Sequence, residues 1–157
     1  MEHEKIVGLT AELKAQLRLT ERVYQRLQAR LEDGLETPAQ RDSIAYQIHN
    51  LYCAAEDLLQ LVAHTFENQI GAGGNWHRTL LLRLSEPVTE IRPAFLSEET
   101  FEVLNQLRGF RHFVRHGYGA EIEINQLKAN LALVQRLQTL LPQDLHSFLV
   151  RLSQPDR

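Results

Sequence analysis

I-A-Y-Q-I-H-N-L-Y-C-A-A-E-D-L-L-Q-L-V-A-H-T-F, running from Ile44 to Phe66, decides the fold. Ile44, Ile48, Leu51, Tyr52, Ala55, Leu58, Leu59, Val62 and Phe66 recur at helical spacing and keep one face apolar for about six turns. The spacing predicts a long core helix. On its N-terminal side, the stretch from about Ile6 to Leu31 repeats Leu9, Leu13, Leu17, Val23, Tyr24 and Leu27 in the same way, and Gly34, Thr37 and Pro38 are expected to end it.

On the C-terminal side, Gly71, Gly73 and Gly74 break the pattern. They follow no strand and lack the full G-x-G-x-x-G order of a dinucleotide fingerprint, so they read as a turn. A shorter amphipathic piece carries Leu80, Leu81, Leu84 and Val88 until Pro87 and Pro93 disturb helical geometry, with Trp76 as a packing anchor at its start. Ser97 before Glu98 and Glu99 is a helix start, since its oxygen can cap and the acids face the positive end of the dipole. That helix runs through Phe101, Leu104, Leu107, Phe110 and Val114, and Gly117 and Gly119 suit a left-handed ending. The last segment, Leu127, Leu131, Val134, Leu137, Leu141, Leu145, Phe148 and Leu152, is again amphipathic, with a bend expected at Pro142. No alternating strand pattern and no internal repeat interrupts this series.

The expected architecture is therefore all-α: an up-and-down bundle of four long helices plus a short one, with residues 1–157 as a single domain. Leu-rich faces leave surface for a symmetric dimer. The 157 residues are 43% hydrophobic and 24% charged, near the globular average, which argues against disorder. No run approaches the roughly 20 apolar residues needed to cross a bilayer, and M-E-H-E-K leads into an amphipathic pattern, so a cytoplasmic address is expected. Cys53 is the only cysteine, which rules out an intrachain disulfide and a cysteine-based zinc site within one chain, and it reads as a buried structural thiol.

Lys and Arg number 17 against 20 Asp and Glu, a net charge of -3, so no global field gathers nucleic acid. Any such contact needs a local patch. The chain has one: Arg108, Arg111, His112, Arg115, His116 and Tyr118 crowd the end of the fourth long helix. At 100° per residue, the three arginines fall within about 60° of arc, and His112 and His116 stand about 40° apart. RNA is cut without metal when a base removes the 2′-OH proton, an acid protonates the leaving 5′-oxygen and a cation stabilises the phosphorane charge. Histidine and arginine supply these roles. His116, near the helix C-terminus where the dipole favours a cation, suits a general acid or shared acid/base. Arg108 and Arg115 suit RNA binding.

Geometry sets a condition. Arg111 and His116 are about 140° apart on an ideal helix, so they converge only if the last turn unwinds or a second copy contributes. Two plainer readings compete: a solvated arginine flank, and a zinc site on His112 and His116. The second lacks the Glu of H-E-x-x-H, because position 113 is Phe, and offers no third ligand. His3, His49, His64, His77 and His146 are scattered and suggest no role.

At these residues the chain resembles the HEPN superfamily, helical domains found with minimal nucleotidyltransferases and in many defence ribonucleases. Its hallmark is R-x(4-6)-H, and the toxin branch, HepT, extends this to R-x(4)-H-x-Y. Arg111, His112, His116 and Tyr118 match the longer form, including the polar residue after Arg. N-L-Y-C-A-A-E-D-L-L, Asn50 to Leu59, also looks like the corresponding HepT helix. The helix before Gly34 and the Trp76 to Pro93 region match no motif of that branch.

The resemblance implies a metal-independent ribonuclease toxin without a cofactor, dimeric, with two motif helices lining a shared cleft. Arg111 and His116 would be catalytic and His112 would support or orient them. The implied partner is a minimal nucleotidyltransferase (MNT) antitoxin, able in the family to transfer AMP to the motif tyrosine, here Tyr118. The alternative within the superfamily is a non-catalytic substrate-binding or adaptor subunit of a nucleotidyltransferase.

Overall fold

The computed structural model describes residues 3–67, 73–117 and 121–154. Five helices account for 81% of these residues: α1 (His3–Leu31), α2 (Pro38–Glu67), α3 (Trp76–Leu84), α4 (Glu98–His116) and α5 (Ile124–Leu152). No strand occurs among them, and the expected all-α bundle of four long helices and one short one is found.

α2 occupies the middle and touches each of the other four helices. Its apolar stripe explains this: Ile44, Ile48, Leu51, Tyr52, Ala55, Leu58, Leu59 and Val62 are all buried. They join Leu13 and Leu27 of α1, Leu81 and Leu84 of α3, Val103 and Leu107 of α4, and Leu137 and Phe148 of α5 in one core. Phe148 packs edge-on to Phe66 and Phe95, tying α5 to the end of α2 and to the approach to α4. Trp76 is partly buried against the core, as expected of an anchor.

Helix ends refine the sequence reading at several points. Gly34, at φ +96°, closes α1, whereas Pro38 opens α2 as its first residue, where a missing N–H costs nothing. Thr37 caps that start: its hydroxyl accepts from Gln40 N–H at 3.1 Å, and Gln40 Oε1 accepts in return from Thr37 N–H at 3.0 Å. Gly73, at φ +122°, sits in the turn before α3, while Gly71 lies outside the described residues. Val88 is not helical: α3 stops at Leu84 ahead of Pro87, and Val88 pairs with Arg92 in an isolated bridge. Arg92, its side chain fully buried, holds that loop to α2 through Glu67 at 3.0 Å.

Ser97 caps α4 as its sequence predicts, accepting from Thr100 N–H, and Asp144 of α5 accepts from Ser97 N–H at 2.9 Å. This fixes where α4 begins against α5. α5 continues through Pro142, whose missing N–H removes one internal bond but does not end the helix.

Truncating the centre of α2 is expected to be costly and truncating an exposed leucine cheap. Leu58→Ala should lose about 2–5 kcal/mol of unfolding free energy in denaturant titration. Leu19→Ala, at a site 46% exposed, should change it by less than about 0.5 kcal/mol.

Candidate functional site

α4 turns its apolar residues Leu104, Leu107 and Phe110 inward, and this sets where its polar residues point. Arg108 and Arg111 are half-buried on the flank toward α2, while His112, Arg115 and His116 are exposed. Arg108 folds back onto Asn105 Oδ1 through two bonds, at 3.0 and 3.2 Å. Arg111 lies against the Cys53 thiol, a weak acceptor, and its Nε is buried without a hydrogen-bond partner. Its Nε is shut off from solvent, so an incoming anion would have to meet this guanidinium at its Nη groups.

The two histidines do meet. Their ring centroids are 4.5 Å apart, one helical turn from each other. Among the described residues no group of three or more His, Cys, Asp or Glu side chains is arranged to hold a metal ion. Among the described residues no hydrogen bond joins Arg111 to His116. α4 stays helical to His116, and Gly117 N–H donates to Phe113 O at 2.8 Å, the regular i to i−4 bond. The last turn is therefore wound, and the 140° divergence of the ideal helix stands.

Gly117 also differs from the expected left-handed cap. Its φ is -85°, and its special requirement is space, because a Cβ there would stand 2.7 Å from Phe113 O. Gly119 and Tyr118 lie outside the described residues.

The other wall of the site belongs to α2, and sequence reading passed it over. Tyr46, His49 and Cys53 fall within about 60° of arc on that helix. The Tyr46 and His49 rings stack with centroids 6.5 Å apart and planes 15° apart, and His49 Nε2 is 3.8 Å from Cys53 Sγ. Cys53 is only half-buried, which corrects the expectation of a buried thiol. Burial still pushes its pKa up despite Arg111 beside it, so it is a protonated thiol at neutral pH. His49 is depressed, first by burial and then by Arg111, with Arg115 adding to this while Asn50 and Glu56 oppose it. The i, i+3, i+7 spacing of these residues was visible in the sequence; which helix they would face was not.

Deeper along the same seam, Glu56 is buried and accepts from or shares a proton with His77 Nδ1 at 2.7 Å. Beside it the Tyr52 hydroxyl is pushed well above its ordinary pKa by burial and by Glu56, and stays neutral. These groups pair acid with base across α2 and α3 and leave the arginines of α4 as the cationic surface of the seam.

A family model described as HepT-like protein matches residues 43–152. The chain belongs to the HepT-like family. The match covers α2 from residue 43 onward and α3 to α5 of this HepT-like chain, including the Trp76 to Pro93 region, and leaves out α1, the helix in which no HepT motif is legible. No curated protein and no solved structure matches the chain. No helix among the described residues of this HepT-like chain is long and apolar enough to cross a membrane.

The His49 shift gives a pH dependence with a definite sign. The unfolded chain takes up this proton near pH 6.5 and the folded chain only at lower pH, so stability is intact above about 6.5 and declines below it. Denaturant midpoints measured from pH 7 to pH 5 should fall for the wild type and fall less for His49→Gln. Equal falls in both proteins would refute the assignment.

Proposed function

We propose that this HepT-like chain is the toxin of a toxin-antitoxin pair, a single-domain, metal-independent endoribonuclease of the cytoplasm that works as a homodimer. The observation that carries this reading is R-H-F-V-R-H-G-Y, Arg111 to Tyr118, at the end of α4 in a chain of this family. Arg111 places a half-buried guanidinium beside α2, and His112 and His116 present paired rings to solvent.

In the proposed reaction His116 serves as general acid or shared acid/base and His112 orients it. In the shared role neutral His116 takes the proton of the 2′-hydroxyl, whose oxygen attacks phosphorus; the bond to the 5′-oxygen breaks and His116 returns the proton to that oxygen, leaving a 2′,3′-cyclic phosphate and a 5′-hydroxyl. Arg111 stabilises the charge that develops on the phosphoryl oxygens, and Arg108 and Arg115 hold flanking phosphates. Because α4 is wound through His116, Arg111 and His116 of one copy diverge. A second α4 across a two-fold axis brings Arg111 of one copy toward His116 of the other.

A minimal nucleotidyltransferase antitoxin is the proposed partner, transferring AMP to Tyr118. The added phosphodiester brings negative charge and bulk to the motif, repelling RNA phosphates. A non-catalytic adaptor role fits less well, because the chain retains the full Arg and His set.

Purified wild-type protein, freed of any partner, should cleave total RNA in EDTA, and Arg111→Ala and His116→Ala should each lose at least about 100-fold of that activity. Intact RNA after wild-type treatment would refute the enzyme reading. Incubation with the partner and ATP should add one or more adenylate masses to the wild type and none to Tyr118→Phe; adenylate on the variant would refute the modification site.

A further inference from the structure

Beside the last turn of α4 lies a recess of about 280 Å³, lined by Asp42, Ala45 and Tyr46 of α2, Phe113, Val114 and Gly117 of α4's end, and Ile122. One feature of its wall is out of keeping with an ordinary helix surface: Tyr46, an aromatic residue on the central core helix, is 59% exposed. Its ring is not idle. It lies nearly parallel to His49, with centroids 6.5 Å apart, and His49 in turn lies 3.8 Å from Cys53 Sγ through its Nε2. The ladder Tyr46, His49, Cys53 ends at Arg111, and both Arg111 and Arg115 act electrostatically on His49. An exposed aromatic ring thus stands one helical turn along α2 from His49, the residue on which Arg111 and Arg115 act.

We propose that Tyr46 is a base-stacking platform, and that the recess between α2 and the end of α4 receives a nucleobase of single-stranded RNA adjoining the phosphate held by Arg111. This rests on the ribonuclease reading and adds to it a base subsite on α2, which a base reaches only when splayed out of a helix. Three features of the recess fit a base. Tyr46 offers a π-face, and stacking on aromatic rings is tolerant of base identity. Phe113, Val114 and Ile122 supply an apolar floor. Asp42, exposed on the rim, supplies an acceptor for the N–H donors that every base carries on its edge. Gly117 leaves its part of the lining without a side chain.

The test separates stacking from cleavage. A short single-stranded oligoribonucleotide carrying 2-aminopurine is titrated with full-length His116→Ala protein, alone and combined with Tyr46→Phe or Tyr46→Ala, while cleavage of the same RNA is followed with His116 intact. Stacking quenches the fluorophore. The Tyr46→Phe protein should keep both quenching and affinity, and Tyr46→Ala should lose the quench and weaken binding about tenfold, with a matching loss in cleavage of single-stranded RNA. Equal quenching and affinity in Tyr46→Ala, alongside cleavage that still depends on Arg111, would overturn the platform and leave the ribonuclease reading standing. Wild-type protein that cleaves no RNA would instead remove the ribonuclease reading on which the platform rests. Light scattering on Tyr46→Ala supplies the remaining check: an altered molar mass would assign Tyr46 to an interface between copies and overturn the platform.

Discussion

The fold depends on one constraint, the burial of the apolar stripe of α2 against the four other helices. α2 meets the four other helices through that stripe; of its polar residues, Gln47 is buried with an unpartnered Oε1, and others are paired or at the edge. Glu56 is paired, with His77. Tyr46, His49 and Cys53 are at the edge. Because α4 packs its Leu104, Leu107 and Phe110 face into the same core, the angular position of every polar residue on α4 follows from that contact. Arg108 and Arg111 come to face α2, and His112 and His116 are turned to solvent.

Most of the fold was legible because helical periodicity is a local signal. The Ile44 to Phe66 stripe, the Ser97 cap and the α1 and α5 patterns each depend on residues within a few turns of one another. The errors occurred where a residue has two possible local roles. Pro38 can end one helix or begin the next, and only the Thr37 and Gln40 capping pair decides between them. Val88 fits an amphipathic pattern in sequence, but Pro87 had already made that continuation impossible. Gly117 reads as a left-handed cap by residue type, whereas its actual constraint is a close approach to Phe113 O, a feature of coordinates and not of composition.

The site divides in the same way. The arginines and histidines of α4 announce themselves because a nearly balanced chain concentrates charge in eleven positions. The α2 wall does not, because His49 and Cys53 acquire meaning only from the helix that packs opposite them. Electrostatically the arrangement is economical: burial and neighbouring arginines keep His49 neutral, Cys53 stays a thiol, and the positive charge of the seam remains on the guanidinium groups. A wound final turn then keeps Arg111 and the histidines of one copy on different faces, which gives the proposed dimer a chemical reason to exist.

The most direct measurement of that account is complementation between inactive chains. Arg111→Ala and His116→Ala proteins, co-expressed so that mixed dimers form, leave one composite site intact in each mixed pair when Arg111 and His116 come from different copies. The account predicts recovery of about a quarter of wild-type RNA cleavage from random pairing of two such chains. Mixed dimers with no more activity than either variant alone would contradict it and place Arg111 and His116 in the same copy's site.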